Sequence, residues 1–93
     1  MTVTLLVPGV LRAEAGGSAK LGLDAAGTLA EVLDALDEQW PKLGRRLRDE
    51  RGELRRFVNI YVDGEECRYT GGLATAVAPN AEIQVLPSVA GGA

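Results

Sequence analysis

The strongest structural signal lies near the middle of the chain, where the sequence reads Thr28-Leu29-Ala30-Glu31-Val32-Leu33-Asp34-Ala35-Leu36-Asp37-Glu38-Gln39-Trp40. Its large apolar residues have the spacing of one face of an α-helix: Leu29, Val32, Leu33, Leu36 and Trp40. Thr28 and Glu31 have the spacing of a capping box, which satisfies backbone donors where a helix begins. Pro41 disfavours helical geometry at the residue before it. We therefore expect one amphipathic helix that ends near Trp40.

Apolar residues alternate with other residues on both sides of this helix, which predicts β-strands. Five strands are expected, over residues 2–7, 18–24, 57–62, 65–69 and 82–86. Asp63-Gly64 has the composition of a tight hairpin turn, and residues 73–77 are expected to form a short helical turn. The order β-β-α-β-β-β predicts an α+β fold of the β-grasp (ubiquitin-like) type. In this fold one main helix packs on one face of a mixed sheet of four to five strands.

The predicted sheet has an inner and an outer face. The helix is expected to pack on the inner residues: Val3, Leu5, Val7, Val58, Ile60, Val62, Ile83 and Val85. Alternation places four other large residues on the outer face: Leu6, Phe57, Tyr61 and Leu86. Exposed apolar clusters of this kind mark protein-docking surfaces, which is the role we predict for these four residues. The alternative is that loops cover them, or that they lie too far apart to form a patch.

Residues 42–56 carry seven of the ten basic residues of the chain. One interpretation is a cationic docking patch for an acidic partner. The interpretation we prefer is a short solvated helix with ion pairs Arg45–Asp49 and Arg46–Glu50 at i, i+4 spacing. Nucleic-acid binding is not expected, because the net charge is −3 and no aromatic side chain is interleaved with these cations for base stacking.

The composition excludes most catalytic chemistry. The 93 residues include no histidine and a single cysteine, Cys67. Ser-His-Asp and Cys-His catalysis are therefore excluded, as is a zinc site that needs His or several Cys ligands. We expect a protein that is not an enzyme, with no bound metal and no bound cofactor. Cys67 lies beside Glu65, Glu66 and Arg68 on an expected short strand, and we interpret it as structural.

The chain is expected to act in the cytoplasm. A lone cysteine cannot form an intramolecular disulfide, which favours a reducing compartment. The first residues lack a basic region followed by a long apolar run, so no signal peptide is expected. The longest apolar runs are far shorter than the roughly 20 residues that span a bilayer, so no membrane segment is expected.

Three runs of the second half resemble the MoaD/ThiS family of sulfur carriers: Phe57-Val58-Asn59-Ile60-Tyr61-Val62, Gly71-Gly72-Leu73-Ala74-Thr75 and Ile83-Gln84-Val85-Leu86-Pro87-Ser88-Val89-Ala90-Gly91-Gly92. They are most similar to the branch that serves the O-phosphoserine-dependent route to cysteine. The resemblance implies a β-grasp domain over residues 1–87 and a flexible tail over residues 88–93 that carries Gly-Gly.

The resemblance also implies how the tail functions. An E1-like adenylating enzyme would use ATP to convert the Gly92 carboxylate into an acyl-adenylate, and a sulfur donor would replace AMP to leave a thiocarboxylate. Gly91, Ala90 and Val89 would thread the narrow channel to that site, because small residues leave room around the carbonyl. The sulfur acceptor is expected to be a cysteine synthase. The alternatives are the large subunit of molybdopterin synthase or an enzyme that makes another sulfur-containing metabolite.

The end of the sequence departs from the family pattern, because Ala93 follows Gly92. We expect a peptidase of the metallopeptidase class to remove Ala93 before activation. In a different class of function, Gly92 would form isopeptide bonds with lysines as ubiquitin does. Lys20 and Lys42 are the two lysines available for self-conjugation. A third alternative is a small binding module without a reactive terminus.

Overall fold

The computed structural model describes residues 2–25 and 27–87, and the predicted tail, residues 88–93, lies outside them. The strands are β1 (Val3–Leu6), β2 (Lys20–Leu23), β3 (Gly27–Thr28), β4 (Val58–Val62), β5 (Glu65–Glu66), β6 (Ala76–Val77) and β7 (Glu82–Pro87). The α-helices are α1 (Leu29–Gln39) and α2 (Pro41–Leu47). Short 3-10 helices span Gly9–Ala15, Cys67–Tyr69 and Gly72–Ala74.

Five strands form one mixed sheet in the order β2-β1-β7-β4-β5. The last strand, β7, lies at the centre, parallel to β1 and antiparallel to β4. Its inner side chains, Ile83 and Val85, are buried, as expected for a strand with a neighbour on each side and a helix across one face. This arrangement confirms the predicted β-grasp fold.

Helix α1 begins and ends where the sequence predicts. The Glu31 backbone N–H donates to Thr28 Oγ1 at 3.3 Å, and the Thr28 backbone N–H donates to Glu31 Oε1 at 3.0 Å, which completes the capping box. The helix ends at Gln39, two residues before Pro41. Its apolar face is buried together with all eight inner residues predicted for the sheet, so one core joins the helix to the sheet.

The two ion pairs predicted on the second helix are wrong. Helix α2 ends before Asp49 and Glu50, so neither acid lies one turn from Arg45 or Arg46 on the helix. Arg46 instead lies 3.6 Å from the Glu14 carboxylate in a different part of the chain. Asp49 accepts hydrogen bonds from two backbone N–H groups of the following turn. These two hydrogen bonds stabilise the turn, and the turn competes with a helix that would continue through Asp49.

Arg48 joins the two helices. Its guanidinium is almost fully buried and donates to Asp34 Oδ1 at 2.9 Å and to Asp37 Oδ2 at 2.6 Å. Burial alone would lower the pKa of Arg48, but the hydrogen bonds and charges of the two aspartates outweigh it and raise the pKa. Gly44 allows this close approach, because a Cβ at that position would collide with the Asp37 carboxylate.

Two segments of the second half differ from prediction. The expected helical turn over residues 73–77 is a 3-10 helix followed by β6, which pairs with β3 through Gly27↔Val77 and Thr28↔Ala76. The expected strand over residues 65–69 ends after Glu66, and a 3-10 helix follows. Strands β5 and β6 contain two residues each, which is too short for a period-two pattern to define their bounds from the sequence. Across the part of the chain that the structure describes, no helix is long and apolar enough to cross a membrane.

Candidate functional site

The predicted reactive tail follows the central strand of the sheet. The last described residue, Pro87, pairs with Val58 on β4. On the other side of β7, the pairing with β1 reaches Leu6↔Gln84. The predicted tail residues lie outside the described residues: Val89, Ala90, Gly91, Gly92 and Ala93. The described chain therefore ends next to β4, at the carboxyl end of the central strand.

The strand register places three of the predicted docking residues on one face. Gln84 lies opposite Leu6 on β1 and opposite Tyr61 on β4. Leu86 lies two residues further along β7 and therefore projects to the same side as Gln84. Because neighbouring strands are about 4.8 Å apart, Leu6 and Tyr61 are separated by roughly 10 Å, with the exposed Gln84 between them. The amide side chain of Gln84 thus separates the apolar side chains of Leu6 and Tyr61.

The predicted docking residues differ in accessibility. Phe57 is 56% exposed and Leu86 is 39% exposed, whereas Leu6 and Tyr61 are half-buried. Phe57 directly precedes the paired residue Val58, and Leu86 directly precedes Pro87. The two accessible apolar side chains therefore belong to the end of the sheet where the described chain stops. Their role in docking stays a prediction.

A shallow groove of about 270 Å³ lies on the β1 side of Leu86. Leu6, Pro8 and Leu86 contribute apolar surface, and Arg12 and Lys20 contribute positive charge. The Arg12 Nε donates to the Val7 carbonyl at 3.0 Å, which holds that guanidinium over the end of β1. The groove is suited to an apolar side chain of a partner with a carboxylate nearby.

Two accessible apolar residues were not among the predicted docking residues. Val10 is 73% exposed and Tyr69 is 88% exposed. Both lie in 3-10 helices, Gly9–Ala15 and Cys67–Tyr69, where strand alternation does not apply. Their exposure was therefore not visible in the period-two pattern used for the sheet.

Cys67 is fully buried at the start of a 3-10 helix, not on a strand. Burial raises the pKa of its thiol, and the charge of the neighbouring Glu66 acts in the same direction. A reactive cysteine needs the opposite conditions, a lowered pKa and access to solvent. The structure therefore favours the structural role predicted for Cys67. Among residues 2–25 and 27–87, no cluster of three acidic or cysteine side chains could hold a metal ion.

Known proteins match this chain over nearly its whole length. The profile of the ThiS family matches residues 5–92. The sulfur carrier protein CysO of Mycobacterium tuberculosis is 43% identical over 95 residues, which cover 99% of this chain and 100% of the relative. The similarity to a sulfur carrier over the whole length confirms the sulfur-carrier role predicted for this chain.

Two solved structures support the same assignment. The crystal structure of Mycobacterium tuberculosis CysO has a TM-score of 0.86 and 39% identity, covering 94% of this chain and 99% of that one. The crystal structure of the Amycolatopsis orientalis BexX/CysO complex gives a TM-score of 0.86 and 33% identity, covering 94% of this chain and 96% of that one. With a family match that spans all but the first few residues and the last one, this chain belongs to the ThiS family.

Proposed function

We propose that this chain carries sulfur in the cytoplasm as a thiocarboxylate on Gly92, formed after Ala93 has been removed. The observation that carries this proposal is that the family match continues through the tail and ends at Gly92. The folded domain supports it, because the accessible Phe57 and Leu86 lie at the end of the sheet from which the chain continues toward that residue.

The proposed chemistry uses the terminal carboxylate of Gly92 and a partner's ATP. The carboxylate attacks the α-phosphate of ATP, pyrophosphate leaves, and an acyl-adenylate forms. Hydrosulfide, HS⁻, then attacks the carbonyl carbon and expels AMP, and loss of the proton on sulfur leaves the thiocarboxylate. Because a thioacid is far more acidic than a thiol, the product is an anion near neutral pH and needs no general base. This agrees with a chain that contains no histidine.

Three kinds of partner follow from this proposal. An E1-like adenylating enzyme supplies the ATP site, and a metallopeptidase removes Ala93. A cysteine synthase accepts the sulfur, with the large subunit of molybdopterin synthase as the alternative acceptor. The Amycolatopsis orientalis relative forms a complex with BexX, which supports the proposal that this domain binds a partner enzyme.

The proposal is tested by intact-mass spectrometry on two chains, one ending at Ala93 and one ending at Gly92. Each is incubated in lysate of the native host with ATP and a sulfide source, and a reaction without ATP is the control. We expect the shorter chain to gain the mass of one oxygen-to-sulfur exchange, and the longer chain to lose alanine first. Thiocarboxylate on a chain that keeps Ala93 contradicts the processing step. A ladder of larger species resistant to reducing agents indicates protein conjugation instead.

Replacing Cys67 with serine is expected to leave the yield of thiocarboxylate unchanged, because the buried thiol is not accessible to a sulfur donor. The buried hydroxyl should lower the free energy of unfolding by about 1–2 kcal/mol. Intact mass after loading gives the yield, and urea unfolding gives the stability. Cys67→Ala serves as the control without a hydroxyl group. A folded Cys67→Ser variant that no longer loads sulfur would show that the thiol takes part in the transfer.

A further inference from the structure

The turn between α2 and β4 is fixed by its own acidic residue. Asp49 Oδ1 accepts the backbone N–H of Arg51 at 2.9 Å and the backbone N–H of Glu53 at 3.0 Å. The bond from Glu53 is the largest of the effects that lower the pKa of Asp49. The Asp49 carboxylate is therefore ionised at neutral pH, and one of its oxygens is bound by the backbone N–H groups of Arg51 and Glu53.

The same segment carries three arginines that differ in exposure. Arg51 and Arg56 are exposed, and Arg55 is anchored by its Nε, which donates to the Arg45 carbonyl at 2.6 Å. In the described ranges, the side-chain ion pairs within 4.0 Å are formed by other arginines: Arg46, Arg48 and Arg68. The segment thus presents guanidinium groups that form no ion pair within 4.0 Å in the described ranges, although Arg51 and Arg55 act electrostatically on the Asp49 carboxylate.

These guanidinium groups share a cleft with an exposed aromatic ring. Arg51, Arg55 and Arg56 line a cleft of about 500 Å³ together with Leu54 and Phe57. Phe57 is 56% exposed, and it is also one of the two accessible residues of the proposed docking face. The cleft is therefore continuous with that face, and a partner that covers Phe57 also reaches the arginines.

We propose that this cleft binds an acidic segment of the protein that docks on the outer face of the sheet, an inference that rests on the proposed function. Guanidinium groups bind carboxylates through two parallel hydrogen bonds, and the Phe57 ring offers apolar contact for the aliphatic parts of the same segment. The carboxylates of Asp49 and Glu53 also line the cleft. Three arginines and two acids leave the cleft with a net charge of one cation, which fits a short acidic segment better than the continuous charge of a nucleic acid.

The first test is a titration of the full chain with a fluorescein-labelled peptide of glutamates at low salt. The double variant Arg51→Gln and Arg56→Gln removes two exposed charges from the cleft and leaves the anchored Arg55 in place. The matched control, Lys42→Gln and Arg46→Gln, removes the same charge from α2 outside the cleft. We expect the cleft variant to bind the peptide about fivefold more weakly than the control, with the difference shrinking as salt is added.

Two outcomes of this titration would overturn the proposal. Equal affinity of the cleft variant and the control shows that the peptide responds to overall charge only. Tighter binding of an oligothymidine of the same length than of the peptide assigns the cleft to nucleic acid.

The second test measures thiocarboxylate formation in host lysate as the concentration of the chain is varied. The cleft variant should need about a fivefold higher concentration for half-maximal rate than the control, with the maximal rate unchanged. If the cleft variant and the control need the same concentration for the half-maximal rate, the proposal is wrong for the adenylating enzyme. A lysate that fails to load the unmodified chain contradicts the proposed function, and the peptide titration then still decides whether the cleft binds acidic segments.

Discussion

Shortening the tail by one glycine, so that the chain ends at Gly91 instead of Gly92, is expected to lower the rate of ATP-dependent activation by about a hundredfold. Both chains end in a glycine carboxylate, so the chemistry of the terminus is the same. They differ in reach by about 3.5 Å, the length of one extended residue. A displacement of this size moves the carboxylate away from the α-phosphate of ATP, and catalysis depends strongly on the distance between reacting atoms.

The measurement is pyrophosphate release by the adenylating enzyme of the native host, with the two chains compared at equal concentration. Thermal unfolding is the control for folding, and it should give the same midpoint for both chains, because the buried core lies between Val3 and Val85. Activation of the two chains at similar rates would mean that reach does not limit the reaction, and it would weaken the assignment of Gly92 as the activated residue.

Replacing Leu36 with alanine is expected to lower the free energy of unfolding by about 3 kcal/mol. Leu36 is fully buried on the sheet-facing side of α1, so its truncation removes apolar contacts and leaves a cavity in the one core of the domain. A domain of this size has a total stability on the order of 5–14 kcal/mol. The melting temperature should therefore fall by about 15 °C.

Circular dichroism during thermal and urea unfolding measures this loss. Glu38→Ala is the matched control on the same helix, because Glu38 is exposed and alanine favours helix formation. We expect its effect to stay within about 0.5 kcal/mol. Similar losses for both variants would show that α1 contributes through its helicity and not through its packing on the sheet.

The helix was predictable from sequence because its determinants are local. Thr28 and Glu31 lie three residues apart, and the capping box that they form is completed within one helical turn. The ion pairs proposed for the second helix failed for the opposite reason. Arg46 and Arg48 find their carboxylates at Glu14, Asp34 and Asp37, which are 11 or more residues away in the sequence.

The candidate docking face was predictable only in part. Alternation indicated which residues project outward, and β1, β4 and β7 have the predicted pattern of burial. The register between strands was not visible in the sequence, and it is the register that places Gln84 between Leu6 and Tyr61. The exposed Val10 and Tyr69 were missed because they lie in irregular segments.

The sequence alone predicted a β-grasp domain followed by a tail that carries Gly91-Gly92, because helix periodicity, strand alternation and the tail residues are all properties of neighbouring positions. The tertiary structure alone decided which side chains become accessible together. It joined Arg51, Arg55 and Arg56 to Phe57 in one cleft, and it buried the side chain of Cys67. The physical reason is that exposure and charge pairing depend on contacts between segments that are distant in the chain, which only the folded sheet and its packed helices define.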